Sequence, residues 1–437
     1  MPIIVKMPAT SVVFEAQIVP RACQLKDYKK KPVKEVTVNE EIITYCSPDS
    51  TYAVTKRLFD AAKKSILIGI YDLSSSLMRD MLLDALARKV KVSLMLDIDS
   101  QAERDLFHEL VTMGVKGVSA PSCANKSVSY FSSSHEKVIV IDKEWSLVQS
   151  GNYSDHSFPF NVIDGGDSKH FKTGNRDTGL AVKSKDLAQF LTKILESDMA
   201  LVPANAEMLA HVTADDPFFV EAAPKKQPTT LFPSKSFRLK SDLVLLPVLS
   251  PDNYMDVVPM LLSSAKKSIL IEQQYIRASQ TSIAQLLDSV KIALNKNPNL
   301  DVRIVLGKLF SSKDLPKEQA NLKILKNNYG LALGSHIRYV NTDQLVHCHN
   351  KMILIDGKGV LVSSQNWSDS AVKKNREAGL WMQHQGIANY FAAIFETDWA
   401  AAFKKPIVGK AQPNSVTPQA LSAGGFIPVV RADYEEV

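Results

Sequence analysis

A chain of 437 residues with 45% hydrophobic and 22% charged side chains can bury more than one core, which excludes a disordered chain and a module too small to fold unaided. Its 52 basic and 46 acidic residues give a formal charge of +6, a mild excess that favours an anionic partner without separating nucleic acid from a lipid surface. No apolar run is long enough to cross a bilayer, and Glu15 interrupts the only N-terminal stretch that resembles a leader. Cys23, Cys46, Cys123 and Cys348 show no pairing by spacing and no zinc-ligand pattern, so a reducing, cytoplasmic setting is expected, with secretion after removal of a leader left open.

Along the chain, residues 1–44 read as an N-terminal extension. Ser47-Pro48-Asp49 supplies a turn or cap before an amphipathic stretch, Lys63-Lys64 forms its solvated end, and the apolar run from Ser65 to Tyr71 reads as a buried strand. Val90–Leu96 is a second strand. His135-Glu136-Lys137 follows, leading through Val138, Ile139, Val140 and Ile141 to Asp142, then Asn152 and Asn175-Arg176-Asp177. Between 203 and 240, Pro203, Pro217, Pro224, Pro228 and Pro233 among polar residues mark a connector. The pattern then begins again. Ser250-Pro251-Asp252, Lys266-Lys267, the run from Ser268 to Tyr275 and the strand Leu300–Leu306 stand in the same order. His349-Asn350-Lys351, Met352 to Ile355, Asp356, Asn366 and Asn375-Arg376-Glu377 complete the second copy. Helices alternating with strands in each copy predict an α/β fold of two tandem, pseudosymmetric α/β/α sandwiches. The expected domains are 45–205 and 241–403, joined by a linker over 206–240 and followed by a tail over 404–437.

Both copies contain H-x-K-x4-D on an expected strand, and an asparagine follows each aspartate by ten residues. On a strand, residues two apart share a face, so His135 with Lys137, and His349 with Lys351, point at one place. Phosphodiester cleavage needs a nucleophile, an acid for the leaving oxygen and cations for the phosphoryl oxygens, and two such pairs supply all three. Asn152 and Asn366 add amide donors. Asp142 and Asp356 lie at odd spacing from their histidines and read as structural, whereas Asp177 and Glu377 suit the second ring nitrogen of a histidine.

These duplicated motifs resemble those of the phospholipase D superfamily over roughly residues 45–205 and 241–403. The resemblance implies one composite active site between two facing halves and a phosphohistidine intermediate, with His135 as nucleophile and His349 as acid/base. The residues themselves allow the reverse order. Gln365 stands where the first half has Gly151, so the second loop is expected to differ in shape. No metal or cofactor is expected, and one chain is expected to suffice as a monomer because it holds both half-sites.

The substrate is less legible. Asn152 to Asn175 spans 23 positions where Asn366 to Asn375 spans 9, leaving 14 extra residues in the first half. That insertion carries Phe158, Phe160, Phe171, Lys169 and Lys172, which suits a lipid interface or base stacking, or packing of the loop on the body. Glu272-Gln273-Gln274-Tyr275-Ile276 resembles a segment of phospholipid-cleaving members. Phospholipid head groups, reached by peripheral contact with a membrane surface, therefore lead over a nuclease acting on DNA or RNA, and a catalytically silent anion-binding module comes last. His347 reads as a partly exposed polar residue, and Trp367 as either a pocket wall or a packing residue.

Overall fold

Each duplicated segment folds as a helix followed by a central strand, in a computed structural model that describes residues 23–125, 128–160, 174–203 and 231–409. Through residue 203 the order is β1 (Val36–Val38), β2 (Glu41–Ser47), α1 (Thr51–Ala61), β3 (Ser65–Ile70), α2 (Ser76–Ala87), β4 (Lys91–Leu96) and α3 (Gln101–Thr112), then β5 (Lys116–Ser119), β6 (Lys137–Ile141), β7 (Trp145–Gln149), β8 (Asp177–Lys183) and α4 (Lys185–Met199). From residue 231 come β9 (Lys235–Arg238), β10 (Leu243–Ser250), α5 (Tyr254–Ser263), β11 (Ser268–Gln273), α6 (Thr281–Lys296), β12 (Asp301–Leu306) and α7 (Leu315–Tyr329). They are followed by β13 (Ile337–Tyr339), β14 (Lys351–Ile355), β15 (Gly359–Ser363), α8 (Asp369–Lys373), β16 (Glu377–Gln383) and α9 (Gln385–Ala401). Two eight-stranded sheets result, ordered β5-β4-β3-β6-β7-β8-β2-β9 and β13-β12-β11-β14-β15-β16-β10-β1.

The apolar runs after the histidine motifs read as continuous because both faces of these strands are covered. Val138 and Val140 of β6, with Met352 and Leu354 of β14, join a core shared by both halves, into which α4 and α9 place Leu191, Leu195, Phe391 and Phe395. Ile139 and Ile141 face the opposite way, against α1 to α3. Ile353 and Ile355 do the same against α5 and α6. The layers therefore run helices, sheet, α4 with α9, sheet, helices, and this common core is what fixes one half against the other.

Each sheet takes its last strand from outside its own half. β1 pairs with β10 in the second sheet, with Val36 opposite Leu245, and β9 pairs with β2 in the first, with Ile42 opposite Phe237. Residues read from sequence as extension and linker thus contribute strands. The arm that carries β1 also brings Tyr28 and Lys31 to Asp252, where the Lys31 amide donates at 2.6 Å. At its start Cys23 is bonded to Cys123, which corrects the reading of four unpaired cysteines. Their separation of 100 residues gives no spacing signal, and only the crossing of the arm brings them together. Cys46 and Cys348 are free and buried.

Two arginines lie buried where the halves meet. Arg176 donates from Nε and Nη2 to Asp398 of α9 at 2.6 and 3.1 Å, and from Nη1 to Asp49 at 3.1 Å. Arg376 donates to Asp198 of α4 and to Asp252. The aspartates of the two Ser-Pro-Asp motifs therefore neutralise arginines and do not cap the helices that follow. Removing one member of such a network strands a buried charge, which costs about 3–5 kcal/mol. Asp398→Ala is expected to lower unfolding free energy in urea by about that amount. Asp60→Ala, which breaks an exposed pair with Lys56, should cost less than about 0.5 kcal/mol in the same measurement.

Candidate active site

The strands bearing the two motifs begin at Lys137 and Lys351, so each histidine sits in the extended segment just before its strand. Backbone pairing across the halves holds these segments. The His135 amide donates to the Arg376 carbonyl at 2.7 Å, and the Arg376 amide to the Ser133 carbonyl at 2.8 Å. Reciprocally, the His349 amide donates to the Arg176 carbonyl at 3.0 Å, and the Arg176 amide to the His347 carbonyl at 2.8 Å. Each H-x-K segment thus lies beside the Asn-Arg-acid segment of the other half. The consequence is an exchange of carboxylates, with His135 Nδ1 2.8 Å from Glu377 Oε2 and His349 Nδ1 3.0 Å from Asp177 Oδ1. With the Nδ1 proton held by a carboxylate, Nε2 of each ring is the nitrogen left for chemistry.

Lys137 and Lys351 are buried, and each ammonium donates to the carbonyl of its own histidine, Lys137 at 2.6 Å. Burial pushes the Glu377 carboxyl upward, whereas Lys137, hydrogen bonds from Ser364 and Asn375, and Lys351 favour the ionised form that can accept the His135 ring proton. Lysines of both halves thus act on this one carboxyl. Burial would also raise Asp177, but His349 and Lys351 outweigh it and hold that carboxyl below its ordinary value. The Tyr71 ring packs on His135 at 4.6 Å and stands 5.1 Å from the Lys137 ammonium. Asn152 donates weakly to Asp72 at 3.4 Å, while Asn366 lines a cavity of about 260 Å³ that opens onto His135. The side-chain carbonyl oxygens of Asn152 and Asn366 are buried and find no hydrogen-bond partner among the described residues.

Asp142 and Asp356 lie beyond their strands in left-handed turns, with φ of 53° and 56°. Asp142 accepts the backbone amides of Lys63, Lys64 and Ser65, and Asp356 those of Lys266, Lys267 and Ser268. Both tie the start of a central strand to the end of a motif strand, away from the histidines. Trp367 is fully buried in the second-half core and donates to the Tyr254 hydroxyl, so it packs. His347 is buried as well, against the expectation of partial exposure, because its Nδ1 accepts the Lys308 amide at 3.1 Å. Of the first-half insertion, Phe158 packs against Tyr153 and Phe160 against Tyr52, whereas residues 161–173, with Phe171, Lys169 and Lys172, lie outside the described residues. Gln365 donates to the Val248 carbonyl, filling space that Asp177 closes to any side chain at Gly151.

Sequence reading gave no role to Glu136 or Glu272, two buried carboxyls behind the motifs. Ser134 donates to both oxygens of Glu136, and Asn350 donates to Glu272 at 2.7 Å. Asn350 also accepts from Thr178 of the other half at 2.7 Å, one residue from Asp177. The available signal was the motif itself, in which the middle residue is a carboxylic acid in one copy and an amide in the other.

A family model described as cardiolipin synthase, PLD-like domain, matches residues 55–199 and 259–399. The chain belongs to this phospholipase D-like family. A CDP-diacylglycerol–glycerol-3-phosphate 3-phosphatidyltransferase from Saccharomyces pastorianus is 36% identical over 67 residues, which are 15% of this chain and 12% of that enzyme. The chain thus matches a small part of that relative's length. The solved phosphatidylserine synthase of Haemophilus influenzae Rd KW20 shares the fold, with a TM-score of 0.54 at 14% identity over 84% of this chain and 90% of that one. The phospholipase D family member Nuc from Salmonella typhimurium aligns over 38% of this chain and 96% of its own, at 18% identity and a TM-score of 0.29.

Burial raises the Glu136 carboxyl from its ordinary 4.5 to about 7. A carboxyl raised on folding binds its proton more tightly in the folded state, so its contribution is complete below pH 4.5 and is lost as pH climbs through 7. Unfolding free energy should therefore decline between about pH 5 and 8. Glu136→Gln is expected to flatten that decline, gaining about 1–3 kcal/mol at pH 8 and little at pH 5. Urea denaturation across the pH series measures both.

Proposed function

We propose that this chain is a phosphodiesterase and phosphatidyltransferase that works on phospholipid head groups through a phosphohistidine. The observation that supports this reading is the exchange of carboxylates, each half accepting at Nδ1 of the other half's histidine beside a buried lysine. His135 Nε2 attacks phosphorus, the bond to the departing alcohol oxygen breaks, and His349 gives that oxygen its proton. His349 then takes the proton of water or of an accepting alcohol, whose oxygen attacks phosphorus and breaks the P–N bond. Lys137, Lys351, Asn152 and Asn366 carry the charge of the phosphoryl oxygens through both steps.

The lipid reading is supported by membership in a family described by a cardiolipin synthase and by likeness to a phosphatidyltransferase. Among the described residues no helix is long and apolar enough to cross a membrane, so lipid would be reached from a membrane surface. The Cys23–Cys123 bond supports an oxidising compartment over the reducing one expected from sequence. A single chain supplies both half-sites and is proposed to act as a monomer.

In His349→Ala, given a substrate with a good leaving group, formation of the adduct needs no acid but its hydrolysis lacks a base. Acid-labile, base-stable label should then accumulate on the peptide containing His135. Label on the His349 peptide of His135→Ala reverses the assignment, and no adduct in either variant argues for direct attack by water. Lys137→Met and Lys351→Met should each lose ~3 kcal/mol or more of transition-state stabilisation, read as kcat/KM. Assays on phosphatidylglycerol vesicles and on single- and double-stranded DNA, with a chelator present, decide the substrate. Turnover of lipid alone is expected, and turnover of DNA alone would make this a nuclease.

A further inference from the structure

Each buried arginine at the seam is covered by the chain segment that leads into an exchanged edge strand. Before β9, Leu231 and Phe232 cross the first arginine. Asp49 accepts their amides at 2.9 and 3.0 Å, and the Arg176 guanidinium stands 5.5 Å from the Phe232 ring. Before β1, Tyr28 and Lys31 cross the second arginine in the matching way. Asp252 accepts the Lys31 amide and, at 3.2 Å, the Tyr28 hydroxyl, while the Arg376 guanidinium stands 5.0 Å from the Tyr28 ring and donates to its hydroxyl. The Lys31 ammonium donates to Asp198 at 3.0 Å, so this arm touches both carboxylates that neutralise Arg376.

The correspondence stops at one point. Cys23 bonds the N-terminal arm to Cys123, whereas the segment from 203 to 240 contains no cysteine. That bond falls beside the active site, because Cys123 lines the cavity that opens onto His135. From Cys123 the chain turns back to Phe131, which packs on Tyr28 at 4.9 Å and stands 4.6 Å from the Arg376 guanidinium. The Lys26 amide donates to the Ser129 carbonyl at 2.7 Å, so arm and loop are joined along their length. Arg376 is therefore gripped twice, by its side chain on the arm and by its backbone on Ser133 and His135. Glu377, the next residue, accepts the His135 ring proton.

We propose that Tyr28 is a positioning residue for His135: held down by the Cys23–Cys123 bond, it fixes Arg376, and Arg376 fixes the His135 segment together with the Glu377 carboxylate. Tyr28 touches no reacting atom, and its effect comes from locking the groups behind the histidine. The effect falls on one histidine of the two, since His349 is oriented by Asp177, beside the arginine that the other segment covers. The consequence for turnover rests on the phosphodiester reading, and the consequence for the ring does not.

The test on the full chain accordingly has two arms. Without substrate, ring N–H signals of 15N-histidine-labelled protein are compared between wild type and variants. Tyr28→Ala should shift or broaden the Nδ1 proton signal of His135 and spare that of His349. Tyr28→Phe, which keeps a ring over Arg376 as Phe232 does over Arg176, should restore most of it. Cys23→Ser should give the same selective change as Tyr28→Ala, and so should dithiothreitol on the wild type, because Cys23 lies in exposed chain. In turnover of a 4-nitrophenyl phosphodiester, Tyr28→Ala should lower kcat about tenfold or more while KM changes less than about twofold. Thermal midpoints establish that the variants fold, and Cys23→Ser carries the test if Tyr28→Ala does not. A His135 signal unmoved in either folded variant, His135 and His349 signals that move together, or a kcat left intact beside a shifted signal overturns the proposal. A selective shift in a protein whose wild type turns over no phosphodiester upholds the positioning and overturns the phosphodiester reading instead.

Discussion

A carboxylate from each half accepts the ring proton of the other half's histidine, and the rest of the structure arranges that exchange. Glu377 can reach His135 only because the backbone around Arg376 pairs with the segment around Ser133, and Asp177 reaches His349 by the matching pairing. Those pairings depend in turn on α4 and α9 filling one core between two sheets. The pairs Arg176–Asp398 and Arg376–Asp198, each buried and each crossing between the halves, then lock the seam from both sides. Each histidine takes its ring partner from the other half, so the arrangement needs both halves.

The duplicates have diverged without losing the arrangement behind the motifs. In the first half the middle motif residue is Glu136, and the strand facing it carries Gly69, where a Cβ would lie 2.8 Å from the Glu136 carboxylate. In the second half the middle residue is Asn350, and the strand position equivalent to Gly69 carries Glu272, to which Asn350 donates. The carboxyl sits on the motif segment in one copy and on the facing strand in the other, with an amide, Asn350, where the first copy has Glu136. Burial raises both carboxyls, Glu136 to about 7 and Glu272 to about 8, so each copy keeps a protonatable group close behind its histidine.

The central strands were legible in sequence because they are buried on both faces, leaving unbroken apolar runs such as Val138–Ile141. Repetition made the motif residues stand out, since His, Lys and Asn recur at fixed spacing. Pairing across the halves was not legible. Spacing within a copy cannot tell whether Asp177 serves His135 or His349, and the answer lies in how two sheets pack. The exchange of β1 and β9 was hidden for a similar reason, as short strands at a sheet edge carry little hydrophobic pattern. Asp198 and Asp398 left a trace in the matching Glu-Ser-Asp and Glu-Thr-Asp runs near the ends of the two copies, a repeat that has meaning only once the buried arginines are seen.

The most direct measurement is the ring N–H signal of the two histidines in selectively 15N-labelled protein. Two strongly hydrogen-bonded Nδ1 protons are predicted. Glu377→Gln should remove or shift the one assigned to His135 while sparing His349, and Asp177→Asn should do the reverse. Loss of the His135 signal in Asp177→Asn, with Glu377→Gln leaving it in place, would mean that each half orients its own histidine and would contradict the account.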